Sequence, residues 1–549
     1  MFKIELKLDG EYVKTLAYAE PQTIASIVQG EESLPEGILI YKVDCQYLKS
    51  STSIEADAKL DCVTINSSEG NAIYQDTAAF ILCKAYFNLF STRNKLVIEH
   101  SIGDGVFCEV LNYTFSSEDV ENLSNEMMKI VQGAFPIEKI SMDPKQVEKV
   151  VAKKNRDDVI KNLKYKNVDV YKCNGYYDYF LRQLADNTSV VKEFELVYHS
   201  PGFILRYPRK GQSRIDRKFT LPRNLFATHQ EHDKWLNILN LHTVSALNRA
   251  IQDYSINELI QMEEALHEKK ILDIANHISW KKDIKLVLIA GPSSSGKTSF
   301  AKRLSVQLRV NGIFPHIVSM DDYFLPRTET PRKKDGELDF ESIRALDLEL
   351  LNNDLETLLA GKEIELPKYN FVEGVRERSY KTLQLKENDI LIMEGIHGLN
   401  DELTESVPFN QKVKIYVSAL NNLNIDAHNR IPTTDSRKIR RMVRDHNFRG
   451  HSAEQTLMMW NSVRAGEDSN IFPYQENSDF MFNSILTYEL AVLKKYAMPL
   501  LQSVNNYCPK YLEAQRLIRL LDHLYNIQDD VVPSNSILRE FIGGSVFNY

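Results

Sequence analysis

Residues 291–298 read Gly291-Pro292-Ser293-Ser294-Ser295-Gly296-Lys297-Thr298, with Ser299 following. The run fits G-x-x-x-x-G-K-[ST], a pattern whose chemistry depends on its spacing. Two glycines let the backbone curl until successive N–H groups point inward at an anion. A helix that follows aims the positive end of its dipole at the same anion. Lys297 can reach the β- and γ-phosphates as a point charge. The Thr298 hydroxyl can hold Mg²⁺, with Ser299 a weaker substitute. The flanks agree: Ile284–Ala290 reads as a hydrophobic strand, and Ala301, Leu304 and Leu308 supply the buried face of a helix predicted over Thr298–Val310. Triphosphate binding by residues 291–299 is expected; the alternative is a Gly-Ser-rich turn that only joins strand to helix.

Working outward, the pattern from Lys281 onward alternates apolar strands with helices, as in a mostly parallel α/β domain. Further strands are predicted at His316–Met320, Ile390–Met393 and Val413–Val417, and a helix at Asp347–Leu359 with Gly361 as its C-cap. In an open parallel sheet, ligands gather outside the carboxyl ends of the strands. Two acids stand at such ends: Asp321 after the second strand and Glu394 after the third. Asp321 is placed to accept a proton from an attacking hydroxyl and to help hold the metal; Glu394 is placed as a metal ligand. A cap or turn role is the alternative for each. Asp322 competes with Asp321, and points elsewhere if the chain there is extended.

Farther on, Arg437, Arg440, Arg441, Arg444 and Arg449 crowd one segment. Helical spacing puts Arg437, Arg441 and Arg444 on one side, where guanidinium forks suit phosphate oxygens. The segment is expected to be a lid that closes over the triphosphate; a solvated basic helix paired with acids, or a nucleic-acid patch, are the alternatives.

The rest of the chain is less explicit. Phe2, Ile4 and Leu6 alternate with charged residues, and Leu8-Asp9-Gly10 supplies a turn. Ser116 and Asp119 open a helix carrying Val120, Leu123, Met127, Ile130 and Val131, closed by Pro136. Leu259, Met262, Ala265 and Leu266 form an apolar stripe expected to be packing. The 549 residues are 43% hydrophobic and 26% charged, with net charge −8. That balance gives no general electrostatic reason for a nucleic-acid or anionic-membrane partner. No stretch approaches the roughly 18 apolar residues that span a bilayer, and the N-terminus lacks the apolar core of a signal peptide, so a cytoplasmic location is expected. Six scattered cysteines lack metal-binding or redox spacing.

Several motifs in order give the C-terminal half a resemblance. GPSSSGKTS at 291–299, SMDDYF at 319–324, DFES from 339, PKYNFVEGVR at 367–376, MEGIHGL at 393–399 and RRMVRDHNFRG at 440–450 resemble the uridine kinase and phosphoribulokinase family of P-loop kinases. The resemblance implies ATP or GTP with Mg²⁺, and a nucleoside acceptor, uridine or cytidine. It implies that Asp321 is the general base for the ribose 5′-hydroxyl, and that Thr298, Glu394 and Asp321 belong to the magnesium site. Lys297 and Arg444 join Asp321 in catalysis. Tyr323, Phe340, Glu341, Tyr369 and Arg441 fall on acceptor-binding positions, and Arg441 and Arg449 also on nucleotide-binding ones. Three positions depart: Glu341 replaces an aspartate, Gly374 stands where a base-reading histidine is expected, and His451 replaces the second lid arginine. Loss of that histidine puts pyrimidine selection in question and leaves another sugar or phosphosugar as an acceptor.

The N-terminal half resembles the N-terminal region of threonyl-tRNA synthetase. YQDTAAFILCKA at 74–85, FPIEK at 135–139 and YKCNGYYDYF at 171–180 carry the likeness. It implies a TGS-like β-grasp domain over 1–65 and an editing-like α+β domain over 66–220, then a helical connector (221–280), the P-loop kinase domain (281–500) and a C-terminal helical tail (501–549). The family's metal- and nucleophile-bearing positions fall on Asp76, Phe80, Phe180 and Leu184, so editing hydrolysis is not expected. The fold class expected is therefore multidomain α/β: a P-loop parallel sheet with helices on both faces, preceded by a β-grasp module and an α+β domain. A small-molecule nucleoside is the expected partner; a homo-oligomer is left open, and a nucleotide-sensing RNA-binding regulator is the rival from another class.

Overall fold

The computed structural model describes residues 1–549 except 91–93, 152–164, 334–335, 371–372 and 549. Phe371 and Val372 of the PKYNFVEGVR motif thus lie outside the described residues.

Five parallel strands form the sheet around the P-loop. In spatial order they are Phe314–Ser319, Asp389–Glu394, Leu286–Ala290, Lys412–Ser418 and Phe480–Asn483. The first strand in the chain lies in the middle, so the connections leave it on both sides. That reversal opens a crevice at its carboxyl end, where the P-loop begins. Every residue of Leu286–Ala290 is buried, as expected for a strand covered on both faces. The helix after the loop, Lys297–Val310, buries Phe300, Ala301, Leu304 and Leu308. Each leucine contributes about 1.5–3 kcal/mol by leaving water, enough to fix the loop between two rigid elements.

The N-terminal region carries a five-stranded sheet ordered Glu11–Tyr18, Phe2–Leu8, Ala58–Val63, Ile40–Val43, Gln46–Leu48, with the short helix Ile24–Gln29. Its first hairpin turns at Asp9 (φ 53°) and Gly10 (φ 89°), where the Leu8-Asp9-Gly10 turn is expected. Next come the helices Ser68–Phe90 and Ser117–Gln132 beside a four-stranded sheet (Glu195–His199, Gly202–Arg206, Gly105–Leu111, Lys95–Ile102) and a three-stranded one (Glu138–Met142, Val168–Cys173, Tyr176–Asp178). Val147, Val168 and Val170 share one apolar core with the kinase sheet and the helix Ile256–Trp280.

Ser116 and Asp119 form the expected reciprocal capping box, but that helix stops at Gln132 with Gly133 as its cap, ahead of Pro136. The helix predicted from Asp347 runs Leu348–Leu359 with Asp347 as N-cap; Ala360 ends it and Gly361 follows in the left-handed region. The stripe expected on Ile256–Trp280 is displaced. Leu259 is buried, whereas Met262 and Ala265 face solvent. Their place inside is taken by Glu263, Glu264 and His267, because partners satisfy them: Glu263 accepts from Trp235 and Thr487, and Glu264 from Arg303 and Tyr488. The C-terminal segment is less helical than expected. It has one long helix, Tyr511–Asp522, then loops and the single turn Arg539–Ile542. Among the described residues no helix is long and apolar enough to cross a membrane.

Candidate active site

The phosphate loop is held open from outside. Arg437 donates to the carbonyl of Ser293 (2.9 Å), Arg440 to that of Ser294 (3.3 Å), and the Ser484 hydroxyl to that of Ser295. Three consecutive loop carbonyls are thereby held by side chains from outside the loop. Ser294 takes a positive φ of 59° and Gly296 one of 86°, the second in a region that suits glycine. Gly291 is required for another reason: a Cβ there would lie 2.0 Å from the carbonyl oxygen of Val417 on the adjacent strand.

Lys297 bends back across this loop and donates to the carbonyls of Gly291 (2.9 Å) and Pro292 (3.4 Å). Thr298 Oγ1 donates to Glu394 Oε1 at 3.1 Å. Burial pulls the Lys297 ammonium below its usual range, against the opposing pull of Glu394, Glu540 and Asp321. Burial also pushes Glu394 up, with Asp321 and Glu540 adding repulsion. Asp321 opens to solvent at the cleft mouth, yet protein crowding its carboxyl desolvates it and raises it too, while Lys297 opposes. The expected acids and lysine therefore stand in one electrostatic cluster. Thr298, Glu394 and Asp321 offer only oxygen donors, a set that fits a hard divalent cation such as Mg²⁺.

Asp322 does point away, but not along an extended strand. Met320–Tyr323 is a 3-10 turn capped by Ser319, and Asp322 Oδ1 accepts the backbone N–H of Tyr369 at 3.3 Å. Tyr323 is not brought into the cleft. Its ring is buried and its hydroxyl donates to Asp354 at 3.1 Å on the neighbouring helix, so the expectation that it binds acceptor is corrected. Phe340 and Tyr369 flank Phe324, with ring centroids 6.0 and 5.6 Å from it, and form an aromatic wall beside the turn that carries Asp321. Glu341 lies over Gly466, where a Cβ would meet its carboxylate at 2.7 Å. Burial raises this carboxyl and Glu467 repels it further.

Gly374 has φ 71°, and a Cβ on it would fall 2.3 Å from Cδ of Arg327. The space a histidine would enter is filled by that arginine. Sequence reading missed Arg327 because it lies 47 positions upstream, on a different loop.

The arginine-rich segment is the helix Thr433–Arg449. Arg441 Nη1 donates to Ser293 Oγ at 2.7 Å. A fully buried carboxylate, Asp445, gathers Arg441 (3.1 Å), Arg444 (2.9 Å) and Arg449 (3.5 Å). One negative charge meets three positive ones, so this arginine cluster is itself net positive. Burial, with repulsion from neighbouring arginines, holds Arg441 and Arg449 below the usual arginine range. Arg437 and Arg440 are buried structural members, paired with Glu467 and Glu489.

Two further carboxylates lie on the loop. Glu467 Oε1 accepts the N–H of Ser293 at 2.9 Å, and Glu540 Oε2 accepts the N–H of Ser299 at 3.2 Å as well as its hydroxyl. No local pattern signals either one; Glu540 is 241 positions from Ser299.

At the positions of the expected editing site the side chains are packed. Phe80 and Phe180 meet edge to face at 5.8 Å, Leu184 is fully buried, and Asp76 pairs with Arg182 at 2.9 Å.

A parallel sheet with its first strand central, a glycine-flanked loop opening a helix at the end of that strand, and converging lysine, acids and arginines define a P-loop phosphotransferase. Residues 286–491 match the phosphoribulokinase / uridine kinase family. The uridine kinase of Lactobacillus helveticus (strain DPC 4571) is 32% identical over 176 residues, covering 31% of this chain and 72% of that protein. The uridine kinase of Ureaplasma parvum serovar 3 (strain ATCC 700970) is 25% identical over 195 residues, 35% of this chain and 85% of its own. A solved structure described as a possible uridine kinase from Bacillus stearothermophilus shares 20% identity over 36% of this chain and 88% of that one, with a TM-score of 0.25. The chain belongs to the phosphoribulokinase / uridine kinase family, and is an ATP-dependent kinase.

Proposed function

We propose that the chain is a nucleoside kinase that moves the γ-phosphoryl group of ATP or GTP onto the 5′-hydroxyl of a nucleoside, uridine or cytidine. The observation that carries this reading is the convergence of Lys297, Thr298, Asp321 and Glu394 at the carboxyl ends of three adjacent strands. Asp321, ionised, accepts the proton of the acceptor hydroxyl as its oxygen attacks phosphorus in line. Lys297 leaves the loop carbonyls and, with Arg441, Arg444 and Arg449, stabilises charge spreading over the transferred phosphoryl oxygens. Thr298 and Glu394, with Asp321, would hold Mg²⁺, which when bound neutralises phosphate charge. Phe340, Glu341 and Tyr369 hold the acceptor.

The N-terminal half is read as a TGS-like β-grasp domain and an editing-like domain with a structural or regulatory role, because apolar packing and an ion pair replace hydrolytic side chains at its expected site.

The absence of a base-reading histidine at Gly374, beside which the Arg327 stem fills the space, leaves another sugar or a phosphosugar as the rival acceptor. Radiolabelled ATP and GTP, screened over nucleosides, sugars and phosphosugars, separate the two. Turnover of uridine or cytidine that disappears in Lys297→Ala and Asp321→Asn supports the first reading. Turnover of phosphosugars alone overturns it, as does full activity in Asp321→Asn.

A further inference from the structure

Far along the chain from the P-loop, the strand Lys95–Ile102 carries a bulge. Ile98 pairs with Cys108, but the next pair is Ser101 with Val106, so three steps on one strand match two on the other. A bulge breaks the alternation of side chains. Here it brings consecutive residues, Glu99 and His100, to one spot, facing Asp233 on the helix Arg223–Leu239. Ligand atoms of all three lie within 4.8 Å of one another. His100 Nδ1 is 3.9 Å from Asp233 Oδ2.

His100 is 3% exposed, and neither of its ring nitrogens has a hydrogen-bond partner. A buried imidazole without partners is costly and calls for an explanation. The same helix turn carries His229 and His232. The His229 ring stacks on that of His100 at 3.9 Å, and Nδ1 of His232 is also buried and unpartnered. Asn422, from the kinase half, donates to Asp233 Oδ1 at 2.5 Å and lies 2.7 Å from Nδ1 of His229. Asp233 is thereby oriented from behind, as second partners orient metal-binding carboxylates.

The geometry points to a divalent transition-metal site, zinc by its donor chemistry, formed by Glu99, His100 and Asp233 where the bulged strand meets the connector helix and the kinase segment. One imidazole and two carboxylates suit zinc. A dication there would give the buried His100 ring, which has no hydrogen-bond partner, a ligand bond to make. Because Ile98 donates to the carbonyl of Ala427 and accepts from Asn424, the ion would also brace the joint between the two halves of the chain.

The test uses the full chain, stripped with chelator and titrated with zinc in excess magnesium, which occupies oxygen-only sites. Bound zinc is read by elemental analysis, and cobalt substitution reads the coordination sphere by visible absorption. Wild type should take up one equivalent of zinc, and its thermal midpoint should rise. Glu99→Gln and Asp233→Asn, close in shape and checked for native circular dichroism, should each weaken zinc binding by about tenfold or more and lose the thermal shift. Folded wild type that takes up no zinc overturns the assignment, as does zinc uptake unchanged in both variants.

Discussion

Glu540 is the most informative residue to perturb. Its carboxylate lies on the N–H and hydroxyl of Ser299, in the first turn of the P-loop helix. That N–H belongs to the positive end of the helix, the place that grips an anionic phosphate. A bound triphosphate and Glu540 therefore compete for the same donor. Replacing the carboxylate by an amide in Glu540→Gln keeps the shape and removes the charge. A neutral hydrogen bond is roughly half as strong as a charge-assisted one, and the helix-end contribution is about 0.3–1 kcal/mol. Discounted for partial exposure, the competitor loses about 1–2 kcal/mol, and repulsion between Glu540 and both Glu394 and the incoming phosphates also goes. The dissociation constant for magnesium ATP should fall about 5- to 30-fold. Titration with a fluorescent ATP analogue at fixed magnesium reads this directly, with Glu540→Ala as a second variant. Unchanged or weaker binding in both would refute the competition and make Glu540 part of the nucleotide-bound site.

Four more outcomes are expected. Burial raises Asp321 and Glu394, and Asp321, as the proposed base, must be ionised, so kcat/KM should fall as pH drops through values above the ordinary carboxylate range of about 4; a profile flat down to that pH contradicts this. Stability has the opposite sign, since the native state holds these protons more tightly than the unfolded chain and gains stability as pH falls across the same interval. Glu489→Ala strands the fully buried Arg440 guanidinium and should cost about 3–5 kcal/mol in urea denaturation, with the P-loop losing its brace; a shift under about 1 kcal/mol would show that the arginine finds another partner. Gly291→Ala drives a Cβ to 2.0 Å from the Val417 carbonyl and should abolish ATP binding measured by calorimetry, even where circular dichroism remains native; retained affinity would mean that the strands part at little cost.

How much was legible depends on how local each signal is. The phosphate loop, its strand and its helix follow from glycine spacing and apolar period. The acids after two strands follow from chain order, because a parallel sheet delivers strand ends to one edge. The capping box at Ser116 is readable because its partners are three residues apart. The buried face of the helix Ile256–Trp280 is not legible in the sequence, because burial of Glu263 and Glu264 depends on Trp235, Thr487, Arg303 and Tyr488, none of them nearby in the chain. Tyr323 was assigned to acceptor binding from its place in a motif, whereas a 3-10 turn rotates it toward Asp354.

Sequence alone pointed to a polyphosphate site and to the lysine, hydroxyl and acids proposed to attend it, because such roles are written in short-range spacing. Tertiary structure alone decided that Arg437 and Arg440 brace the loop, that Arg327 fills the space beside Gly374, and that Glu540 lies on the P-loop helix. Those contacts join residues tens to hundreds of positions apart, and only packing of the whole chain brings them within hydrogen-bond reach.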